Sequence, residues 1–217
     1  MWGQATGFPH IYIPILVNPL FPPQIPRRGM FILYRYYYPV DMNLLPILRT
    51  GKLFVILSPG AACQESMSLI AQLALRGPVT ILDGGNRYKP NKVAVLLGRK
   101  ILNVTEPAKR LFSRRAFTCH EMKTLLWTTP SLHQPYIILD LLNTFQDDHV
   151  PIHEAIRLLD SCMTQIQRLQ CLAPVVVTLS PPLVEERAFL IDTVCDKADQ
   201  VFTFEEVELE ATQPGLF

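Results

Sequence analysis

The feature that most constrains this chain is an alternation of short, almost continuously apolar runs with longer segments of helical periodicity. The runs are rich in Val, Ile and Leu. Strands that are apolar on both faces are typical of a parallel sheet covered by helices on both sides. The sequence therefore predicts an α/β fold with a mainly parallel sheet. Predicted strands cover 53–58, 78–84, 94–98, 135–142, 173–180 and 200–204, and predicted helices cover 66–76, 105–113, 119–127, 151–171 and 184–197.

Composition divides the 217 residues into three parts. Residues 1–41 are rich in proline and aromatic residues and lack clear periodicity, so we expect a poorly structured extension or an arm that packs on a partner. Residues 42–207 carry the alternation, and their number suits one core domain. Residues 208–217, which end in QPGLF, are expected to form a flexible tail.

Charge is unevenly distributed along the chain, although the net charge is only +1. Residues 76–115 contain ten Lys or Arg and two acidic residues, whereas residues 140–210 contain fourteen acidic residues and four basic ones. Two interpretations stay open. The charges form two solvated faces of opposite sign, or the basic region binds nucleic acid or an acidic protein.

Cysteine usage and hydropathy exclude several classes of protein. The five cysteines are scattered and include no C-x-x-C pair, so we expect no zinc site and no disulfide framework, and a reducing compartment. No apolar stretch reaches the length of a membrane span without interruption, and residues 8–26 contain six prolines. The sequence therefore predicts a protein without a membrane span, located in the cytoplasm or at the nucleoid.

Two histidine-containing segments are weak candidates for chemistry. His149 and His153 are four residues apart, but Pro151 between them indicates a loop leading into a helix, so no metal site is predicted. Cys119 and His120 are adjacent, and neighbouring side chains diverge, so they are not predicted to form a catalytic pair.

Four short segments follow one another in an informative order. DGGNRYKPNKV covers 83–93, and Arg-Ala-Phe covers 115–117 with His120 after it. Four apolar residues followed by an aspartate cover 136–140, and VVVTLS covers 175–180.

Together these segments resemble those of the RecA/RadA recombinase family of P-loop ATPases, over roughly residues 50–205. The first segment is similar to the family's D-T-E-G-T-F-R-P-E-R-I, the second to its R-A-F or R-A-Y strand, the third to its Walker B strand and the fourth to its V-V-V-T-N-Q strand. The resemblance implies a RecA-like P-loop NTPase core. In the first segment, the positions that match identically or in kind are Asp83, Tyr88, Lys89, Pro90, Lys92 and Val93.

The resemblance places the family's Walker A motif, G-x-x-x-x-G-K-T, on residues 60–67. Gly60 keeps the first glycine, while Glu65, Ser66 and Met67 stand at the second glycine, the lysine and the magnesium-binding hydroxyl. In a register one residue earlier, Ser66 supplies the hydroxyl and Glu65 replaces the lysine. In either register a carboxylate stands where triphosphate would bind and would repel it.

Other positions of the family's ATP site have also changed. Gly85 stands at the catalytic glutamate that positions the attacking water, and Leu179 and Ser180 replace the Asn-Gln pair that senses the γ-phosphate. Asp140 retains the Walker B carboxylate, and its alternative role is to cap a nearby loop at the end of its strand. The resemblance therefore implies a pseudo-ATPase without catalytic residues and with no cofactor, ATP–Mg²⁺ included.

The two loops that contact DNA in the family correspond to 141–154 and 180–187, which are short and acidic here. Neither offers the basic surface that a phosphate backbone requires. If DNA is contacted, the candidate residues are Arg87, Lys89, Lys92, Arg99 and Lys100. The alternative is that these residues form an ordinary solvated surface.

The C-terminal residues fit the pattern Q-x-x-L-F, with Gln213, Leu216 and Phe217 at its three defined positions. This pattern resembles the short peptide by which bacterial polymerases and repair proteins bind the β sliding clamp. The alternative is an apolar tail without a partner.

The resulting hypothesis is a catalytically inactive, RecA-like accessory protein in DNA repair or recombination. It would act through protein contacts, with an active RecA-like relative or a sliding clamp as the partner. The alternative is a DNA-binding or nucleotide-binding RecA-like ATPase with a nonstandard site.

Overall fold

The computed structural model describes residues 30–34, 44–58 and 63–205, with side chains described for all of these except 30–34, 63, 204 and 205. The tail predicted over 208–217 lies outside the described residues. Of the extension predicted over 1–41, only residues 30–34 are described, and they form a strand.

Seven strands form one sheet in which every neighbouring pair is parallel. The strands lie in the order β1-β7-β2-β6-β5-β3-β4. The strands are β1 (Met30–Tyr34), β2 (Leu53–Leu57), β3 (Val79–Asp83), β4 (Leu111–Arg115), β5 (Tyr136–Leu139), β6 (Val175–Leu179) and β7 (Gln200–Glu205). The helices are α1 (Cys63–Ala74), α2 (Pro90–Gly98), α3 (Thr105–Ala108), α4 (Cys119–Thr128), α5 (Ile152–Gln170) and α6 (Phe189–Cys195).

Helices cover both faces of this sheet, which confirms the predicted α/β class. Successive residues of a strand point to opposite faces, so Val55 and Phe54 of β2 belong to different apolar clusters. The cluster around Phe54 includes residues of α1 and α2, and the cluster around Val55 includes residues of α4, α5 and α6. Within the described part of the chain, no helix combines the length and apolarity needed to span a bilayer.

Two predicted elements are wrong. Residues 94–98 were predicted to be a strand but belong to α2, which begins at Pro90, where proline suits the first helical turn. Val93 and Leu97 are its buried residues, one turn apart, and Val95 is 57% exposed.

The predicted helix over 105–113 is the second error. Only Thr105–Ala108 is helical, and the chain then forms strand β4. Four of the five residues in β4 are exposed, so this edge strand lacks the continuous apolar run that identifies a buried strand.

The parallel arrangement brings the carboxyl ends of all strands to one edge of the sheet. After β3 the chain enters α2 on one face, and after the neighbouring strand β5 it enters α5 on the other face. Loops that diverge in this way leave a crevice at the carboxyl edge, which is where ligands bind in many open α/β sheets.

Candidate functional site

Two buried carboxylates and two partly exposed arginines meet at the carboxyl edge of β3 and β5. Asp83 ends β3 and Asp140 follows β5, and they are 1% and 0% exposed. Arg87 Nε lies 2.8 Å from Asp140 Oδ2, and Arg115 Nε lies 3.1 Å from Asp83 Oδ2. Each buried negative charge therefore has a guanidinium partner, which offsets the cost of removing the carboxylate from water.

Asp83 organises the loop that follows β3. Its Oδ1 accepts a hydrogen bond of 2.9 Å from Arg87 N, and its Oδ2 accepts one of 3.2 Å from Tyr88 N. Asn86, at the tip of this loop, has a left-handed backbone with φ 55°. The loop is thus held against the strand end, and this brings the Arg87 side chain to Asp140.

Asp140 is bound on both carboxylate oxygens. Arg87 occupies Oδ2, and Ser180 N donates to Oδ1 at 3.1 Å. The backbone of Asp140 is left-handed, with φ 50° and ψ 53°, and its N–H donates to Thr178 Oγ1 at 2.9 Å. The carboxylate therefore joins the end of β5 to the end of β6, in agreement with the loop-capping role considered for it.

Gly85 packs directly against Asp140. A Cβ at position 85 would lie 2.4 Å from Asp140 Cβ and 2.5 Å from Asp140 Oδ2. Any side chain at this position would have to displace the carboxylate. The place that the resemblance assigns to a catalytic glutamate is thus filled by Asp140.

This arrangement suits a structural ion pair better than a metal site. A magnesium ion prefers carboxylate oxygens that are free to enter its coordination sphere, together with several waters. Here a cation at Asp140 would have to displace the guanidinium of Arg87. No group of three or more His, Cys, Asp or Glu residues that could hold a metal occurs in the parts of the chain with described side chains.

The predicted phosphate loop is described only in part. Gly60 lies outside the described residues, while Glu65, Ser66 and Met67 lie in the first turns of α1. Ser66 and Met67 are each 1% exposed, and Ser66 Oγ has no hydrogen-bond partner among the described residues. Met67 Sδ accepts the N–H of Lys89 at 3.5 Å, so an apolar side chain joins α1 to the loop after β3.

The two acidic loops are tied together by a buried arginine. Arg187 is 5% exposed and donates hydrogen bonds of 2.6 Å to the carbonyl oxygens of Phe145 and Val150. The segments 141–154 and 180–187 are therefore linked. Nothing near Arg187 in the sequence indicates these distant partners, so local pattern does not predict the contact.

The five candidate DNA contacts fall into two groups. Lys89, Lys92, Arg99 and Lys100 are exposed, whereas Arg87 is half-buried against Asp140. The structure therefore brings Arg87 into the carboxylate cluster and leaves the other four at the surface. The candidate clamp residues Gln213, Leu216 and Phe217 lie outside the described residues.

The two weak candidates from the sequence take no part in this cluster. His149 precedes α5, which begins at Ile152, so His149 and His153 do not lie on one helix. Cys119 is fully buried, and burial raises the pKa of its thiol, so the reactive thiolate is disfavoured.

Sequence reasoning missed the ion pairs of Asp83 and Asp140. The available signal was an aspartate at the end of an apolar strand with an arginine nearby, since a buried carboxylate needs a partner.

Comparison of the chain with protein-family models and with curated proteins finds no match.

Proposed function

We propose that this chain is a RecA-like accessory protein without ATPase activity, which acts in DNA repair or recombination through protein contacts. Its partner would be an active RecA-like relative or a sliding clamp. The observation that carries the proposal is the ion pair between Arg87 and the Walker B-like carboxylate of Asp140, which packs on Gly85. A guanidinium there takes the place of the metal ion that phosphoryl transfer requires.

The residues around this pair support the same conclusion. Glu65 contributes negative charge in the first turn of α1, and buried Met67 offers no oxygen to a metal. Ser180 follows β6 at the position of the family's phosphate-sensing glutamine. It has no side-chain amide to offer a phosphate, and its backbone N–H donates to Asp140. The parallel α/β core thus uses the polar groups at its carboxyl edge for internal contacts.

A thermal-shift experiment with the full chain tests the absence of nucleotide binding. A ligand that binds only the folded state raises the melting temperature. We expect millimolar ATP with Mg²⁺ to leave the melting temperature where Mg²⁺ alone leaves it. A rise of several degrees that ATP–Mg²⁺ produces and Mg²⁺ alone does not would contradict the proposal and support the nucleotide-binding alternative.

The sliding-clamp partner is tested separately. Leu216 and Phe217 would enter an apolar pocket while Gln213 makes polar contacts. We expect the full chain to retain a purified β clamp in a pulldown, and the double variant Leu216→Ala/Phe217→Ala to lose it. The variant Thr212→Ala, just before the motif, is the control. Failure of the full chain to retain the clamp would exclude this partner, and equal retention by all three proteins would exclude the C-terminal motif as its binding site. Neither outcome affects the nucleotide result.

DNA binding is a second candidate function, favoured by the exposure of Lys89, Lys92, Arg99 and Lys100 on and around α2. Binding through phosphate contacts weakens steeply with salt. A mobility shift with single-stranded DNA at low salt that disappears at high salt, and disappears in the variant with all four residues changed to Ser, would support it. Absence of a shift at low salt would exclude it.

A further inference from the structure

Strand β4 presents an open edge in the part of the chain that the structure describes. It lies at the end of the sheet and pairs only with β3 among the described strands. The carbonyl of Arg110 and the N–H of Ala116 bond to β3. Because backbone groups of a strand alternate in direction, those of Leu111, Ser113 and Arg115 point away from β3. Such an edge is a template on which a further strand can pair.

The side chains along this edge are apolar and basic. Phe112 is 55% exposed, and Phe117 just beyond the strand is 71% exposed. Arg114 is exposed and donates to Thr128 Oγ1 at 3.3 Å, and none of the described carboxylates pairs with it. An open cavity of about 450 Å³ lies between β4 and α4, lined by Arg114, Arg115, Phe117, His120, Glu121, Thr124 and Leu125. The matching partner is an extended segment with acidic and apolar residues.

The chain itself contains such a segment immediately after β7. Residues 206–210 read EVELE, so Glu206, Glu208 and Glu210 alternate with Val207 and Leu209. Alternation with period two is typical of a strand that places charges on one face and apolar side chains on the other. Its three negative charges complement the basic edge of β4.

We propose that β4 receives residues 206–210 of a second copy of this chain as an added strand. Pairing within one copy is excluded by distance. β7 is the second strand in the sheet and β4 the seventh, so they are about 24 Å apart at the usual strand spacing. Five residues that start at the end of β7 reach at most about 17 Å. Self-association therefore depends on a β4 edge in one copy and an acidic segment in another.

Charge reversal in the full chain tests the ionic attraction between the β4 edge and residues 206–210. We expect the molar mass of the wild type, measured by light scattering after size exclusion at low salt, to rise with concentration and to fall at high salt. Arg114→Glu and the triple change Glu206→Lys/Glu208→Lys/Glu210→Lys should each weaken association at least about tenfold, and their combination should restore it. Lys100→Glu, an equal charge change away from the edge, should have no effect.

Ser113→Pro tests the backbone hydrogen bonds between β4 and the added strand. Ser113 N–H points to the open edge, so its removal leaves the β3–β4 hydrogen bonds intact while a proline blocks pairing. We expect this variant to melt near the wild-type temperature and to remain monomeric, and Ser113→Ala to associate like the wild type.

A labelled peptide of residues 204–212 provides a second measurement that does not depend on the state of the whole chain. It should bind the triple Lys variant, whose own segment cannot compete, and should fail to bind when Arg114→Glu is added. A wild-type protein that stays monomeric at every concentration and does not bind the peptide would overturn the proposal. Association unchanged by Arg114→Glu and by Ser113→Pro would overturn it equally.

Discussion

Asp140 is the residue at which three separate parts of the chain meet. Its carboxylate accepts hydrogen bonds from the side chain of Arg87 and from the backbone N–H of Ser180. It also packs closely against Gly85. A fully buried carboxylate is stable in this position only while its hydrogen-bond donors remain. The same contacts that stabilise the folded state therefore withhold both oxygens from any ligand.

Gly85→Ala should destabilise the protein. The new methyl group would lie 2.4 Å from Asp140 Cβ, and the left-handed backbone at Asp140 leaves that residue little freedom to move. We expect a loss of about 1–3 kcal/mol in the free energy of unfolding, measured by urea denaturation.

The matched control for this change is Gly77→Ala. A Cβ at Gly77 meets nothing within 4 Å, and its φ is not in the left-handed region, so the change should be neutral or slightly stabilising. Equal stability of the two variants would show that Gly85 does not hold Asp140 in place.

At the scale of elements, the connections that follow β5 and β6 are joined by hydrogen bonds from Arg187. Arg187, in the turn before α6, donates to two carbonyl oxygens of the connection between β5 and α5. A guanidinium can donate to several carbonyl acceptors at once, which suits a buried position where none of the described carboxylates is bonded to it. This single side chain therefore bonds the connection between β6 and α6 to the connection between β5 and α5.

Arg187→Met should separate the two connections. Methionine preserves much of the apolar contact but leaves the carbonyls of Phe145 and Val150 without this donor. We expect a loss of about 2–4 kcal/mol in the free energy of unfolding, with faster amide hydrogen exchange in 141–151. Arg157→Met, at an exposed ion pair with Glu154, should leave stability unchanged. A similar effect of both changes would contradict the role given to Arg187.

At the scale of the whole molecule, Asp199 joins distant parts of the chain at the opposite, amino edge of the sheet. Its carboxylate accepts hydrogen bonds from Lys52 Nζ at 2.6 Å, Leu53 N at 2.8 Å and Gln170 Nε2 at 2.9 Å. Partial burial raises the pKa of Asp199, but these hydrogen bonds outweigh that effect and hold the pKa below its usual value. The beginning of β2, the end of α5 and the beginning of β7 are thereby linked.

The lowered pKa has a consequence for stability as a function of pH. The contribution of Asp199 is fully present above the pKa of the unfolded chain, about 3.9, and is lost as the pH falls through the lower folded-state value. Asp199→Asn should therefore cost about 1–3 kcal/mol at pH 7, and the difference from the wild type should shrink below about pH 4. Urea denaturation at several pH values measures it, with exposed Asp148→Asn as the control. A difference that stays constant down to pH 2 would contradict this account.

The secondary structure followed from local patterns wherever those patterns were strong. β2, β3, β5 and β6 are almost entirely buried and mostly apolar, and the predicted bounds of each lie within a few residues of the observed ones. The failures occurred at α2, whose apolar run AVLLG is short, and at β4, which is exposed. A short apolar run fits a helix or a strand equally well, and an edge strand carries little hydrophobic signal.

The sequence by itself determined that this chain forms an α/β fold with a parallel sheet. Central strands that are buried on both faces require nearly continuous runs of apolar residues. It also placed Asp83 and Asp140 at strand ends. Only the tertiary structure decided that Arg87 meets Asp140, 53 residues away, and that Arg115 meets Asp83, 32 residues away. These pairings depend on the order of strands in the sheet, and that order is set by packing over the whole molecule rather than by neighbouring residues.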